Sequence, residues 1–246
     1  MAKRKKGKSI KGQTYRASKY YELLSDELKE QQTGKIVKTS LTNQEREMLY
    51  EHLSMRTTPI CWGIPCDEIM YTKFFTNFIR LVNMPWDSFA TTESTYLPDA
   101  RNEIHTEFIT KMDAPYLFMI DSDVLAPPEI INTLLSHKKD IVGGWYKNKS
   151  LKTGPHPIVY DYLNETDTQY NWVHREEKGE GLEKVDGMGA GCWLMSRKLA
   201  EDLGENPYSM ERGGEDLWIS KKIMDLGYDM WCDWDMACAH LGVSWV

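Results

Sequence analysis

The stretch YLFMIDSDVLAPPEII, residues 116–131, runs five apolar side chains into Asp121-Ser122-Asp123 and then into a Pro-Pro step. The apolar run predicts a buried strand, and PPEIINTLLSHK predicts the helix after it. Two carboxylates one residue apart repel each other, so at a strand end they need a positive partner or open water. A hard divalent cation satisfies such a pair, one acid holding it directly and the other through water or a bound ligand. Aspartate pairs are common in surface loops; the preceding apolar run is what places this one at the rim of a sheet.

The flanking segments repeat the alternation. Upstream, TPICWGIP (58–65) reads as a strand ending at Pro65, and DEIMYTKFFTNFIRLVN (67–83) as a helix opened by an acidic first turn. DSFATTES (87–94) reads as a second strand, and PDARNEIHTEFITKM (98–112) as a helix with Pro98 near its first turn. DIVGGWY (140–146) is a further strand. Strand and helix in alternation predict an α/β fold, a mostly parallel central sheet sandwiched by helices. Ligands of such sheets gather beyond the carboxyl ends of the strands, where Asp121 and Asp123 fall.

The second half differs in texture. HPIVYDYL, YNWVHRE and EKVDGMGAGCWLMS read as strands with turn-rich connections, followed by a helix over EDLWISKKIMDLGY and a short tail, DMWCDWDMACAHLG. At the other end, residues 1–40 are polar and open with a basic arm of Lys3, Arg4, Lys5, Lys6, Lys8 and Lys11, expected to be a flexible solubilising segment, with contact to phosphate or a membrane surface as the alternative. Thr42 and Glu45 stand at capping-box spacing and predict a helix over 41–57, ahead of a main domain over 58–246.

Composition narrows the class. The chain has 246 residues, 41% of them hydrophobic, enough for one sizeable core, and a net charge of −7 that argues against a general nucleic-acid binder. No apolar run approaches the length of a membrane span, and no apolar segment follows the basic start as a signal peptide requires. Cys61/Cys66 and Cys232/Cys238 are spaced too widely for the usual zinc hairpin, so the five cysteines read as free thiols of a reducing, cytoplasmic compartment.

Four other stretches carry chemistry. Asp99-Ala100-Arg101-Asn102 puts a guanidinium at a helix start, an anion site or a capped helix with a solvated Arg. GMGAGCWLMSR (187–197) has glycines spaced G-x-G-x-G before a strand, not before a helix. It is therefore no dinucleotide loop, and glycines such as Gly189 let backbone pass close to a ligand or another strand. Glu215 and Asp216 open a helix, as favourable first-turn charges or as a general base aimed into a cleft. His240 is a packed residue or a ligand to a metal such as Mn2+.

Taken in order, ARNEIHTEF, YLFMIDSDV, GMGAGCWLMSR, GGEDLWISKKIMDLGY and AHLG resemble the GT-A-fold glycosyltransferases, family 2 and the compact phage and bacterial forms above all. The resemblance covers roughly residues 58 to 246. It implies a nucleotide-sugar donor and a divalent metal, Mn2+ or Mg2+, held by Asp121, Asp123 and His240, with Asp123 the surer ligand and Asp121 leaning toward the donor ribose. Arg101 and Ser122 would lie near the nucleotide, and the strand from Pro59 would meet the nucleobase. Asp216 would be the base of an inverting member, with Glu215 and Gly189 lining the substrate site. Trp145 and Tyr146, at the end of the strand over 140–146, would supply an aromatic platform for the sugar or pack in the core.

Two departures limit what carries over. PICWGIPCDE (59–68) replaces the usual family 2 opening, so base recognition does not transfer, and the stereochemical course stays open. The QxxRW-like segment of processive synthases is missing, which favours transfer of single sugars to an acceptor the sequence does not identify. The rival readings are a nucleotidyltransferase, disfavoured because GIPCDEI lacks the basic loop it needs, and a degenerate sugar- or partner-binding module. Binding alone needs no metal site together with a base.

Overall fold

The computed structural model describes residues 56–242, apart from 67–69, 82–83, 85, 93, 95 and 150–155. These residues belong to one compact unit, Leu53–Val246. The arm expected over 1–40 and, but for Arg56 and Thr57, the helix expected over 41–57 lie outside them.

The first half follows the alternation. It contains β1 (Cys61–Pro65), α1 (Thr72–Arg80), β2 (Ser88–Thr92), α2 (Leu97–Lys111), β3 (Tyr116–Ile120), β4 (Val124–Leu125), α3 (Ile130–Ser136) and β5 (Ile141–Trp145). Helix α2 starts on a proline and buries Ala100, Ile104 and Phe108 at a spacing of four, with Arg101 and His105 beside them. Helix α1 is shorter than expected: it begins at Thr72 with no acid in its first turn. It buries Phe74 but leaves Phe75 and Ile79 exposed, so its apolar residues do not form one inner face.

The second half holds β6 (Val159–Glu165), β7 (Tyr170–His174), β8 (Leu182–Val185), β9 (Gly187–Met188), β10 (Cys192–Ser196), α4 (Arg197–Leu203), α5 (Glu215–Asp225), β11 (Met230–Ala237) and β12 (Ala239–His240). The stretch expected as a short tail therefore supplies a long buried strand, β11. Helix α4 was not expected; the Ser196 side chain accepts the Leu199 N–H and caps it, and Leu199 and Ala200 bury one side.

Seven strands form the main sheet in the order β2-β1-β3-β10-β5-β11-β8. Strands β2, β1, β3, β5 and β11 share one direction, while β10 and β8 run against it. Side chains alternate between two cores. Leu117 and Met119 of β3 join Ile104, Phe108, Leu199, Ile219 and Ile223 on one face. Phe118 and Ile120 join Phe74, Ile130, Ile131 and Leu134 on the other. The expected α/β class, a mostly parallel central sheet between helices, is the class found. A smaller sheet, β7-β6-β9, and the two-residue ladder β12-β4 complete the unit. All five cysteines are free thiols. Among the described residues no helix is long and apolar enough to cross a membrane.

Candidate functional site

The polar centre forms where β3 ends. The Asp121 N–H donates to the Gly191 carbonyl at 3.0 Å and the Val124 N–H to the Asp121 carbonyl at 3.0 Å, so the chain turns sharply through Asp121, Ser122 and Asp123. Strand β10, antiparallel to β3 with Cys192 opposite Ile120, brings Ala190 and Gly191 to the same rim. A Cβ on Gly191 would lie 2.3 Å from Asp121 Oδ2 and 2.5 Å from the Tyr146 hydroxyl. One on Gly189 would lie 2.4 Å from the Tyr146 hydroxyl. Both positions thus require glycine for close approach.

Arg101, on the first turns of α2 and 1% exposed, joins the acids. Its Nη2 donates to Asp121 Oδ1 at 2.9 Å and Oδ2 at 3.0 Å. Its Nη1 lies 3.7 Å from Asp216 Oδ1, and that oxygen also accepts the Ala190 N–H at 2.9 Å. Asp216 reaches this place from the first turn of α5, which follows Gly213 and Gly214, both at positive φ. Glu215 is half-buried beside it, as is Ser122 between its two acids. Arg101 Nε and Nη1 and the Tyr208 hydroxyl are buried without a hydrogen-bond partner. Orphaned polar atoms around a pre-set guanidinium suit a site built to receive a polar ligand.

Burial sets the electrostatics. It pushes the Asp216 carboxyl up to about 7; Arg101 opposes the rise and Glu215 adds to it. Burial also raises Asp121 against the pull of Arg101. For Arg101 burial favours the neutral form, but Asp121 and Asp216 outweigh it and the guanidinium stays charged. The Tyr146 phenol is raised by burial and by the same two acids, and its oxygen accepts the Gly191 N–H at 2.8 Å.

A second pair lies next to the first. The β12-β4 ladder sets His240 opposite Val124, and the Leu241 N–H donates to the Asp123 carbonyl at 2.7 Å. His240 Nδ1 donates to the Lys147 carbonyl at 2.8 Å, so in the neutral ring Nε2 is a lone pair. That lone pair faces Asp123 Oδ1 at 3.5 Å. Two acceptors facing each other are the arrangement a cation joins. The Lys149 ammonium is bonded to Asp123 Oδ2. Burial raises the Asp123 carboxyl, but the Lys149 ammonium and the His240 ring in its protonated form, where Nε2 is a donor, overcome this and hold it below its ordinary range.

The expected metal trio is thus divided. Asp123 and His240 meet, whereas both Asp121 oxygens belong to Arg101, and among the described residues no three His, Cys, Asp or Glu side chains converge. Asp123 and His240 offer a cation one carboxylate and one imidazole, and Asp121 could add a third ligand only by leaving Arg101. Tyr146 joins the site, its ring 5.0 Å from that of His240. Its neighbour Trp145 points to the opposite core, its indole N–H donating to the Trp234 carbonyl at 2.9 Å. Pro59 is not brought to the site. It precedes β1, whose Cys61 pairs with Leu117 and Gly63 with Met119, which leaves it about 20 Å from Asp121 along the strands. Lys149 and Tyr208 were not singled out in the sequence: a lysine in a lysine-rich loop and a tyrosine outside any motif give no spacing signal.

No protein-family model matches the chain, and no curated protein matches it. Among solved structures, the crystal structure of A197 from STIV superposes with a TM-score of 0.55 over 76% of this chain and 86% of that one, at 14% identity. GalNAc-T7 with UDP, GalNAc and Mn2+ superposes with a TM-score of 0.49 over 75% of this chain and 44% of that one, also at 14% identity. At this identity the first likeness is one of fold alone, and the second is too slight to support an inference.

Proposed function

We propose that the protein is a GT-A-like glycosyltransferase that moves a single sugar from a nucleoside-diphosphate sugar to an acceptor hydroxyl. The observation that carries this is the buried Arg101 guanidinium, which joins Asp121 at the end of β3 to Asp216 at the start of α5. It sets a nucleotide-facing acid and a candidate base on one rim, beside the Asp123–His240 pair. The motif order in the sequence agrees with it.

The roles follow from the chemistry of each group. Asp216 Oδ1 is engaged by the Ala190 N–H, so Oδ2 is the oxygen that takes the proton from the acceptor hydroxyl. A carboxyl raised to about 7 is both ionised and basic enough for this near neutral pH. Arg101 keeps Asp121 oriented toward the donor ribose. Asp123 and His240 Nε2 would hold the divalent ion, which when bound supplies positive charge for the departing diphosphate. Gly189 and Gly191 let Tyr146 and Asp121 lie close against the backbone of this rim.

The test is a thermal-shift panel of UDP, GDP, TDP and CMP, each with Mn2+ and again with EDTA, run beside Asp123→Ala. A ligand of the native state raises the melting temperature by mass action. One nucleotide should raise it in Mn2+ and not in EDTA, and the rise should vanish in Asp123→Ala. No shift with any nucleotide in folded protein would overturn the reading in favour of a binding module without transferase activity.

A further inference from the structure

Lys149 occupies a position that the proposed reaction has not used. Its ammonium is bonded to Asp123 Oδ2, while His240 Nε2 stands 3.5 Å from the other oxygen of the same carboxylate. The ring of His240 is fixed, because Nδ1 is held by the Lys147 carbonyl. Lys149 is not fixed: its side chain is 38% exposed, and it carries a compact charge on a flexible four-carbon stem. The ammonium and a cation shared by Asp123 and His240 would therefore compete for one carboxylate, the ammonium from Oδ2 and the cation from Oδ1.

We propose, resting on the transferase reading, that Lys149 is a donor-binding residue that gives Asp123 up to the divalent ion and turns to the donor diphosphate. A lysine–carboxylate pair with its lysine exposed is weak, so a divalent ion would displace it readily. The freed ammonium stays within reach of anionic oxygens around the ion. Its charge has a use there. When the bond between the anomeric carbon and the diphosphate oxygen breaks, the electron pair stays on that oxygen, and the leaving group gains one more negative charge. The acceptor proton goes to Asp216. The cation that Asp123 released is then beside the new charge.

Exchange predicts effects of opposite sign on two ligands. Mn2+ alone, and then UDP, GDP and inorganic pyrophosphate at saturating Mn2+, are titrated calorimetrically into wild type, Lys149→Gln and Lys149→Arg. Pyrophosphate needs no base recognition. Lys149→Gln should bind Mn2+ alone about threefold or more tightly and the diphosphates about threefold or more weakly. Lys149→Arg, which keeps the charge, should retain diphosphate affinity. Unchanged or weaker Mn2+ binding by Lys149→Gln, or unchanged diphosphate binding, overturns the proposal and leaves Lys149–Asp123 an ordinary surface pair. A wild type that binds none of the three diphosphates brings down the transferase reading and the proposal with it, a failure seen before any variant is compared.

Discussion

At the scale of single residues, Asp216 carries the sharpest consequence. A base must be ionised to accept a proton, and burial pushes this carboxyl up to about 7. Turnover should therefore fall as pH drops through about 7, tenfold per unit, with no matching loss of nucleotide affinity. A steady-state pH profile of kcat checks this, and a profile flat from pH 5 to 8 would exclude Asp216 as the base. Asp216→Asn should lower kcat by about 10²- to 10⁴-fold, the usual share of general-base catalysis, while the nucleotide-dependent thermal shift persists. Gly191 makes a different prediction, because an added Cβ would lie 2.3 Å from Asp121 Oδ2. Gly191→Ala should abolish the nucleotide shift and cost about 1–3 kcal/mol of stability, measured by urea denaturation. A variant that keeps full nucleotide binding would show that Asp121 has no part in it.

At the scale of elements, the amino ends of β1 and β2 are tied by one buried acid. Asp87 is bonded to Arg56 through both terminal nitrogens, Nη1 and Nη2, and accepts the Ile60 N–H at 3.1 Å, the Trp62 indole N–H at 3.1 Å and the Met84 N–H at 2.9 Å. Burial alone would raise this carboxyl, but Arg56 and these donors hold it below its ordinary range. Its contribution is therefore complete above the unfolded value near 3.8 and is lost as pH falls through the lower folded value. Asp87→Ala removes this bidentate carboxylate from the buried Arg56 and the acceptor of three N–H groups, and should cost about 3–5 kcal/mol; a loss under 1 kcal/mol in denaturant titration would refute the knot. The sequence showed the strand here but not the knot, because contacts between Arg56, Trp62 and Asp87 depend on how β1 and β2 pair. The same holds for β10. Its apolar run marks a strand, yet nothing local told that β10 would enter the sheet reversed between β3 and β5, and β11 lay in a stretch that read as a tail. Arg101, Asp121, Asp123 and Asp216 stand at starts or ends of elements that periodicity could locate, whereas His240 lies in a stretch read as a tail and stood out only through the order of the motifs. Lys149 and Tyr208 were not legible, since their partners are set by tertiary packing alone.

At the scale of the whole molecule, two buried titrations act on stability with opposite sign. His105 is fully buried, its Nε2 bonded to the Ala200 carbonyl at 3.0 Å, and burial lowers it to about 4. The unfolded chain binds this proton more readily, so the contribution of His105 is full above about 6.5 and is lost as pH falls toward 4. Asp216 works the other way. Its folded value is raised from 3.8 to about 7, so the native state binds the proton more tightly than the unfolded chain, and stability declines as pH rises between those values. In the proposed role of base, Asp216 has to be ionised against the preference of its own surroundings, a compromise of stability for function. Removing its charge should relieve the cost, since an Asn Oδ1 still accepts the Ala190 N–H and Arg101 keeps Asp121. Asp216→Asn should therefore melt higher than wild type at pH 8, and the difference should shrink toward zero by pH 5, where the native acid is already protonated. Thermal unfolding of both proteins across that range checks it. A variant less stable than wild type at pH 8 would mean that Asp216 serves mainly as the counter-ion of Arg101, and the base would have to be sought elsewhere on the rim.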